Sequence, residues 1–132
     1  MQFDIQMPSE PVSIDVSLAE DGAAFAVLSA FMHGLMRYSL SHEIENDLAA
    51  SVVRSADGLQ YTVKLKPWYW SDGKLVTTDD FLFGIERTLN QKTGSKLAYL
   101  LFCIRGAKAY NRGQLKSFSK VGIHKVTESE MV

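Results

Sequence analysis

The chain has 132 residues, of which 46% are hydrophobic and 22% are charged, and its single cysteine is Cys103. This length and composition are typical of one globular domain, or of one lobe of a larger protein, and they exclude disordered and fibrous classes. No apolar run approaches the roughly 20 residues of a membrane-spanning helix, and residues 1–6 lack the basic start and apolar stretch of a secretory signal. One cysteine excludes an internal disulfide and a zinc site made of cysteines.

The formal net charge of −1 hides a strong segregation of charge along the chain. Residues 1–86 carry thirteen acidic and five basic side chains, whereas residues 87–132 carry nine basic and two acidic ones. Such a split arises when the two halves face each other, when the bases face water on separate surfaces, or when the basic half binds nucleic acid or another polyanion. Because the bases are spaced rather than clustered, we expect no nucleic-acid partner.

The first elements of the chain are predicted to be a short strand and a buried helix. Residues 3–7 alternate apolar and polar side chains, which predicts a strand that ends at Pro8. Asp21 is placed to be the N-cap of a helix over residues 22–33, and Gly34 to be its C′ residue. Apolar side chains occur all around this helix, so we expect it to be buried on most sides.

Residues 51–65 have the pattern of a β-hairpin. Apolar and polar residues alternate over residues 59–66, which indicates a half-buried strand, and residues 51–55 provide its partner. Asp57-Gly58 lies in the intervening turn, where glycine supplies a positive φ. The aromatic residues 68–70 follow; we expect them to fill the core beside the hairpin rather than to stack on a ligand.

The second half of the chain is predicted to contain two helices and a final extended segment. After a tight turn at Asp72-Gly73, Thr77 or Thr78 caps a helix with two aspartates in its first turn. A further helix with a buried Cys103 is predicted from Ser95 to about Gly106. The final segment begins near Val121 and has no evident pairing partner. Strands and helices without regular βαβ alternation indicate an α+β fold.

No constellation of residues in the sequence has the spacing of a catalytic or metal site. His33, His42 and His124 share no ligand spacing. There is no glycine-flanked nucleophilic serine and no phosphate-binding glycine loop; Thr93-Gly94-Ser95-Lys96 is only a turn with a base. We therefore expect a protein that is not an enzyme, with no catalytic residues, no metal and no cofactor.

The run SADGLQYTVKLKPWYWSDGKLVTTDDFLFGIERTLN at residues 55–90 resembles the extracytoplasmic solute-binding proteins that serve dipeptide and oligopeptide ABC importers. The resemblance is collinear over nearly the whole chain. Residues 10–22 are similar to the opening strand of the family and residues 31–38 to the end of its first helix, while residues 92–101 and 121–126 match later segments. The residues that carry the central motif are Asp57-Gly58, Tyr61-Thr62, Leu65, Trp70-Ser71-Asp72-Gly73, Thr77, Asp80-Phe81 and Arg87.

This resemblance implies the N-terminal part of lobe I of a type II, peptide-binding periplasmic binding protein fold. Residues 1–132 would form a single partial domain, namely the start of lobe I and part of its small subdomain, with the second lobe absent. Family members bind ligand between two lobes, and the positions here that match cleft-lining ones are Glu20, Asp21, Gly22, Leu97 and Ala98. Glu20 and Asp21 could meet a cation or could cap the helix.

Beside binding of an anionic polymer by the basic half, two functions follow as hypotheses. The first is the solute-binding component of an ABC importer, periplasmic or otherwise extracytoplasmic, which binds a peptide or other small solute and, in full-length form, docks on the importer permease. The second is a truncated structural fragment that binds no ligand of its own and self-associates through exposed sheet edges.

Overall fold

A computed structural model describes residue 7 and residues 9–132, so most of the strand predicted over residues 3–7 lies outside the described residues. The described chain has α+β architecture, as predicted. Single 3₁₀ turns cover Ala98–Leu101 and Phe118–Lys120. The other elements are α1 (Gly22–Ser29), β1 (Met36–Tyr38), β2 (Ile44–Asn46), β3 (Ala49–Arg54), β4 (Tyr61–Leu65), α2 (Thr78–Leu89), α3 (Ala107–Asn111), β5 (Lys125–Thr127) and β6 (Glu130–Met131).

The β3–β4 hairpin forms as the alternation predicts. The strands are antiparallel, with Val52 opposite Val63 and Arg54 opposite Tyr61. In the turn, the Asp57 carboxylate accepts a hydrogen bond from the backbone N–H of Leu59 at 3.1 Å. Gly58 has φ 73°, the left-handed conformation that disfavours a side chain.

The final segment joins this hairpin, so the expectation that it has no partner was wrong. The chain turns at residues 128–129, and β6 then pairs antiparallel with both β4 and β5. The resulting sheet has the order β3-β4-β6-β5, while β1 and β2 form a separate two-stranded sheet. β4 and β6 lie far apart in sequence, so no local sequence pattern predicts their pairing.

The first helix begins where the sequence predicts, with Asp21 as its N-cap, but it is shorter and more exposed than expected. It ends at Ser29, because the chain turns away towards β1 before Gly34 is reached. Only Ala23, Ala24 and Leu28 are buried in it. The prediction of burial on most sides was wrong, since the apolar residues outside this narrow face meet no covering element in the described residues.

The helix predicted from Ser95 to Gly106 does not form as one element. A 3₁₀ turn at Ala98–Leu101 is followed by further turns, and Gly106, at φ 79°, starts α3 instead of ending a helix. The apolar positions 97, 100, 101 and 104 therefore lie on a series of turns and not on one face of a helix. Cys103, which we expected to be buried, is exposed.

The larger buried cluster lies between α2 and residues 101–123. The three aromatic residues 68–70 lie outside it. At the start of α2, the Asp80 carboxylate accepts a hydrogen bond from the Thr77 backbone N–H at 2.8 Å, as a capping box requires. At its end, Leu89 is fully buried with Ala107 and Val121. Residues 68–70 are all exposed, which contradicts the core position predicted for them. They lie on the connection between β4 and α2.

Two glycine substitutions should change stability in opposite directions. Gly58→Ala should lower the free energy of unfolding by about 1–2 kcal/mol, because alanine is strained at this positive φ. Gly84→Ala should raise it by about 0.5–1 kcal/mol, since Gly84 lies inside α2 with open space where its Cβ would be. Urea unfolding followed by circular dichroism measures both. Equal effects of the two substitutions would contradict the turn geometry.

Candidate functional site

Glu20 and Asp21, two of the five predicted ligand-binding residues, lie in the segment that precedes α1, and Gly22 is the first residue of that helix. The segment is two-sided, and its residues 16–18 form a turn in which the N–H groups of Leu18 and Ala19 donate to the Asp15 carbonyl oxygen. Its inward side chains, at positions 13, 15, 17 and 19, are partly or fully buried. The outward ones are large, apolar and exposed, and they are Val12, Ile14, Val16 and Leu18. No strand pairs with this segment in the described residues, so its position depends on side-chain contacts.

The main contact of the segment is a two-pronged ion pair with α2. The Arg87 guanidinium donates one hydrogen bond to each Asp15 carboxylate oxygen, at 2.6 and 2.5 Å. At the next residue of α2, the Thr88 hydroxyl lies 3.0 Å from that of Ser17, which is buried. The hydrogen bonds from Arg87 hold the pKa of the Asp15 carboxyl below its usual value. These contacts fix the segment in place and orient its backbone.

Asp21 acts as the N-cap of α1. Its carboxylate accepts hydrogen bonds from the backbone N–H groups of Ala24, at 2.8 Å, and of Val12, at 3.1 Å. These bonds favour the charged form and lower the pKa of Asp21. The adjacent Gly22 is exposed, and nothing lies within 4 Å of the place where its Cβ would be. The backbone is therefore accessible at this point.

The structure brings the two predicted ligand-binding segments together through one lysine. The Lys96 ammonium lies 2.9 Å from Oε1 and 2.8 Å from Oε2 of Glu20. Lys96 directly precedes Leu97, which is half-buried, and Ala98, which is buried. Sequence reasoning treated Lys96 only as a base in a turn and gave Arg87 no role beyond the motif. The excess of positive charge after residue 86 was the one signal that could have found these residues.

Ion pairs between the acidic and basic halves of the chain support the interpretation that the halves face each other. Three bases from the second half contact carboxylates of the first half within the described residues. These pairs are Arg87 with Asp15, Lys96 with Glu20, and Lys125 with Asp79. Each ties a surface loop or helix end to a distant part of the chain, so the charge segregation serves the fold.

The surface around Gly22 and Lys96 offers three kinds of group to a ligand: an accessible backbone at Gly22, the exposed ammonium of Lys96 and the apolar row on the segment before α1. Within the part of the chain that the structure describes, no three histidine, cysteine or acidic side chains cluster as metal ligands. Among the described helices, none has the length and apolar character needed to cross a bilayer.

The shifted pKa of Asp15 predicts a pH-dependent effect of Asp15→Asn. A carboxyl whose pKa is lower when folded contributes stability that is complete above its unfolded pKa, about 3.9, and is lost as the pH falls through the folded value. The variant should therefore unfold at a lower urea concentration at pH 7, and its deficit relative to wild type should narrow below about pH 4.

The matched control for this measurement is Glu43→Gln. It removes the same charge from an exposed residue that forms no ion pair among the described residues. It should leave the urea midpoint nearly unchanged at pH 7. A deficit of Asp15→Asn that stayed constant down to pH 3 would contradict the role of the ion pair.

Comparison with known proteins identifies the family and the fold of this chain. Residues 43–130 match the model of the bacterial extracellular solute-binding proteins, family 5 Middle. The dipeptide-binding protein of Lactococcus lactis subsp. cremoris is 34% identical over 131 residues, which are 98% of this chain and 23% of the relative.

Two solved structures superpose closely on this chain. The substrate-binding domain of an oligopeptide ABC transporter from Bacillus anthracis has a TM-score of 0.86 at 32% identity, covering 89% of this chain and 23% of its own. The murein tripeptide binding protein MppA of Escherichia coli has a TM-score of 0.89 at 26% identity, covering 95% and 25%. The chain thus spans a quarter or less of the length of these proteins. It belongs to family 5 of the bacterial extracellular solute-binding proteins, and its fold is that of the N-terminal part of the peptide-binding members.

Proposed function

We propose that this chain is part of a non-catalytic, extracytoplasmic protein that binds short peptides for an ABC importer. The observation that carries the proposal is the meeting of the two predicted site segments, residues 20–22 and 97–98, across the contact between Glu20 and Lys96. The exposed backbone at Gly22, where nothing lies within 4 Å of the place of a Cβ, is a surface on which a peptide can form main-chain hydrogen bonds. Relatives named as dipeptide- and oligopeptide-binding proteins support the class of ligand.

In this proposal the described residues form one wall of the binding site. Glu20, Asp21 and Gly22 lie on one side of it, and Leu97 and Ala98 on the other. Proteins that bind a ligand by closing two lobes divide the contacts between those lobes. We propose that residues 1–132 are the start of lobe I and part of its small subdomain, that the opposite wall comes from a second lobe, and that the importer permease recognises the closed form.

One wall alone should bind peptides weakly. Calorimetry of the 132-residue chain with a mixed pool of short peptides should detect no micromolar affinity, because half of the contacts and all of the enclosure are missing. Nuclear magnetic resonance titration at millimolar peptide should shift the amide signals of residues 20–22 and 97–98 first. An equal concentration of a neutral oligosaccharide is the control and should shift none of them. Micromolar binding by the chain alone would contradict the single-wall arrangement.

Self-association is a second candidate, and exposed apolar side chains favour it. Val53, on the outer strand β3, is 60% exposed, and Leu59 in the adjoining turn is 86% exposed. β3 is the outermost strand of its sheet, so only one of its edges pairs with a strand of that sheet. An open edge with apolar side chains is a template for pairing with a second copy.

Sedimentation velocity over a range of concentrations tests this second candidate. Self-association through β3 predicts that Val53→Lys shifts the distribution towards monomer. The matched control is Leu40→Lys, which changes an equally apolar exposed residue in the β1–β2 turn, away from the edge of the larger sheet. A clean monomer of the unmodified chain at high concentration would rule the candidate out.

A further inference from the structure

We infer that Lys96 sets the charge preference of the peptide site, so that the site takes neutral or acidic peptides in preference to basic ones. The inference rests on the proposed function, since it concerns the same surface. It assigns the substrate class by the charge of the peptide group that would lie next to Lys96. Lys96 is then a specificity-determining residue.

In the Glu20–Lys96 pair, the lysine is the partner that faces the solvent. The lysine side chain is 76% exposed, whereas that of the glutamate is 35% exposed. The ammonium lies within hydrogen-bond distance of both carboxylate oxygens. Because an ammonium has three donors, it can satisfy the carboxylate and still offer a hydrogen to an arriving group. A ligand that approaches this surface therefore meets a positive group that overlies a negative one.

The neighbouring carboxylates, Asp15 and Asp21, already have partners within the chain. Asp21 accepts backbone hydrogen bonds from both Val12 and Ala24. Asp15 holds the guanidinium of Arg87 at both oxygens. Of the three acidic groups between residues 15 and 21, each thus has a partner within the chain, and none is left to bind a cationic side chain or ammonium of a ligand. A basic peptide would have to displace Lys96 from Glu20 first.

The charge preference is expected to be small. Exposed ion pairs contribute about 0.2–1 kcal/mol, which corresponds to a change in affinity of no more than about fivefold. The preference is therefore expected to be graded rather than absolute. It should also weaken as salt is added, because the ammonium is open to solvent and its field is screened.

Amide-resolved titration of the 132-residue chain with three tripeptides tests the inference. Ala-Asp-Ala, Ala-Ala-Ala and Ala-Lys-Ala have the same termini and differ only in the central charge. For the wild-type chain, we expect Ala-Asp-Ala to bind about two- to fivefold more tightly than Ala-Lys-Ala at low salt, judged by the shifts of residues 20–22 and 97–98. Lys96→Gln should abolish or reverse this order, because it leaves the Glu20 carboxylate uncompensated.

Two further variants make the result specific. Glu20→Gln should strengthen the preference for Ala-Asp-Ala, because the ammonium then has no internal carboxylate. Substitutions of the two partners are thus expected to change the preference in opposite directions. Lys92→Gln is the matched control: it removes the same charge from the same turn region, and Lys92 has no ion-pair partner among the described residues. It should leave the order of the tripeptides as in wild type.

The outcomes separate this inference from the proposed function. If no tripeptide shifts residues 20–22 or 97–98, the proposed site is wrong and the role of Lys96 falls with it. If the tripeptides do shift these residues but Lys96→Gln and Lys92→Gln behave alike, the site stands and the role of Lys96 is overturned. The dispersion of the amide signals reports whether each variant is folded, and Glu20→Gln tests the same pair should Lys96→Gln fail to fold.

Discussion

The ion pair between Asp15 and Arg87 is the contact on which the rest of the arrangement depends. It joins two residues that are 72 positions apart, one before α1 and one near the end of α2. The segment around Asp15 lacks a strand partner in the described residues, so backbone ladders cannot hold it. A guanidinium that binds both carboxylate oxygens restricts distance and orientation together, which a single hydrogen bond does not. Ser17 and Thr88 add a second contact in the same register.

Once the segment is fixed in this way, its outward side becomes available for binding. The inward polar side chains are used for attachment, while the outward apolar row and the backbone near Gly22 remain accessible. The same attachment positions Glu20 within reach of Lys96. A structural ion pair thereby determines the geometry of the candidate site, although neither Asp15 nor Arg87 needs to touch a ligand.

Sequence patterns predicted the elements whose cause is local. The β3–β4 hairpin follows from period-two alternation and a glycine turn, and the start of α2 follows from the Thr77–Asp80 capping box. The failures share a different cause. Residues 95–106 have helical spacing, yet they form a 3₁₀ turn and further turns, after which Gly106 takes a left-handed conformation close to the Lys120 backbone and the Leu115 side chain. The position of Gly106 is decided by packing against that later segment, which is absent from any local window.

The candidate site shows the same division. Its two segments were identified by resemblance to a family, and the cap formed by Asp21 could be read from its position before an apolar run. The contact between Glu20 and Lys96 could not be predicted, since ion pairing across many residues depends on how the chain folds back. The sequence by itself determined the family, the α+β class, the hairpin and the starts of both longer helices, because each depends on neighbouring residues. Only the tertiary structure decided which charges meet, where the final strand pairs and which apolar faces stay open, because these depend on contacts between residues far apart along the chain.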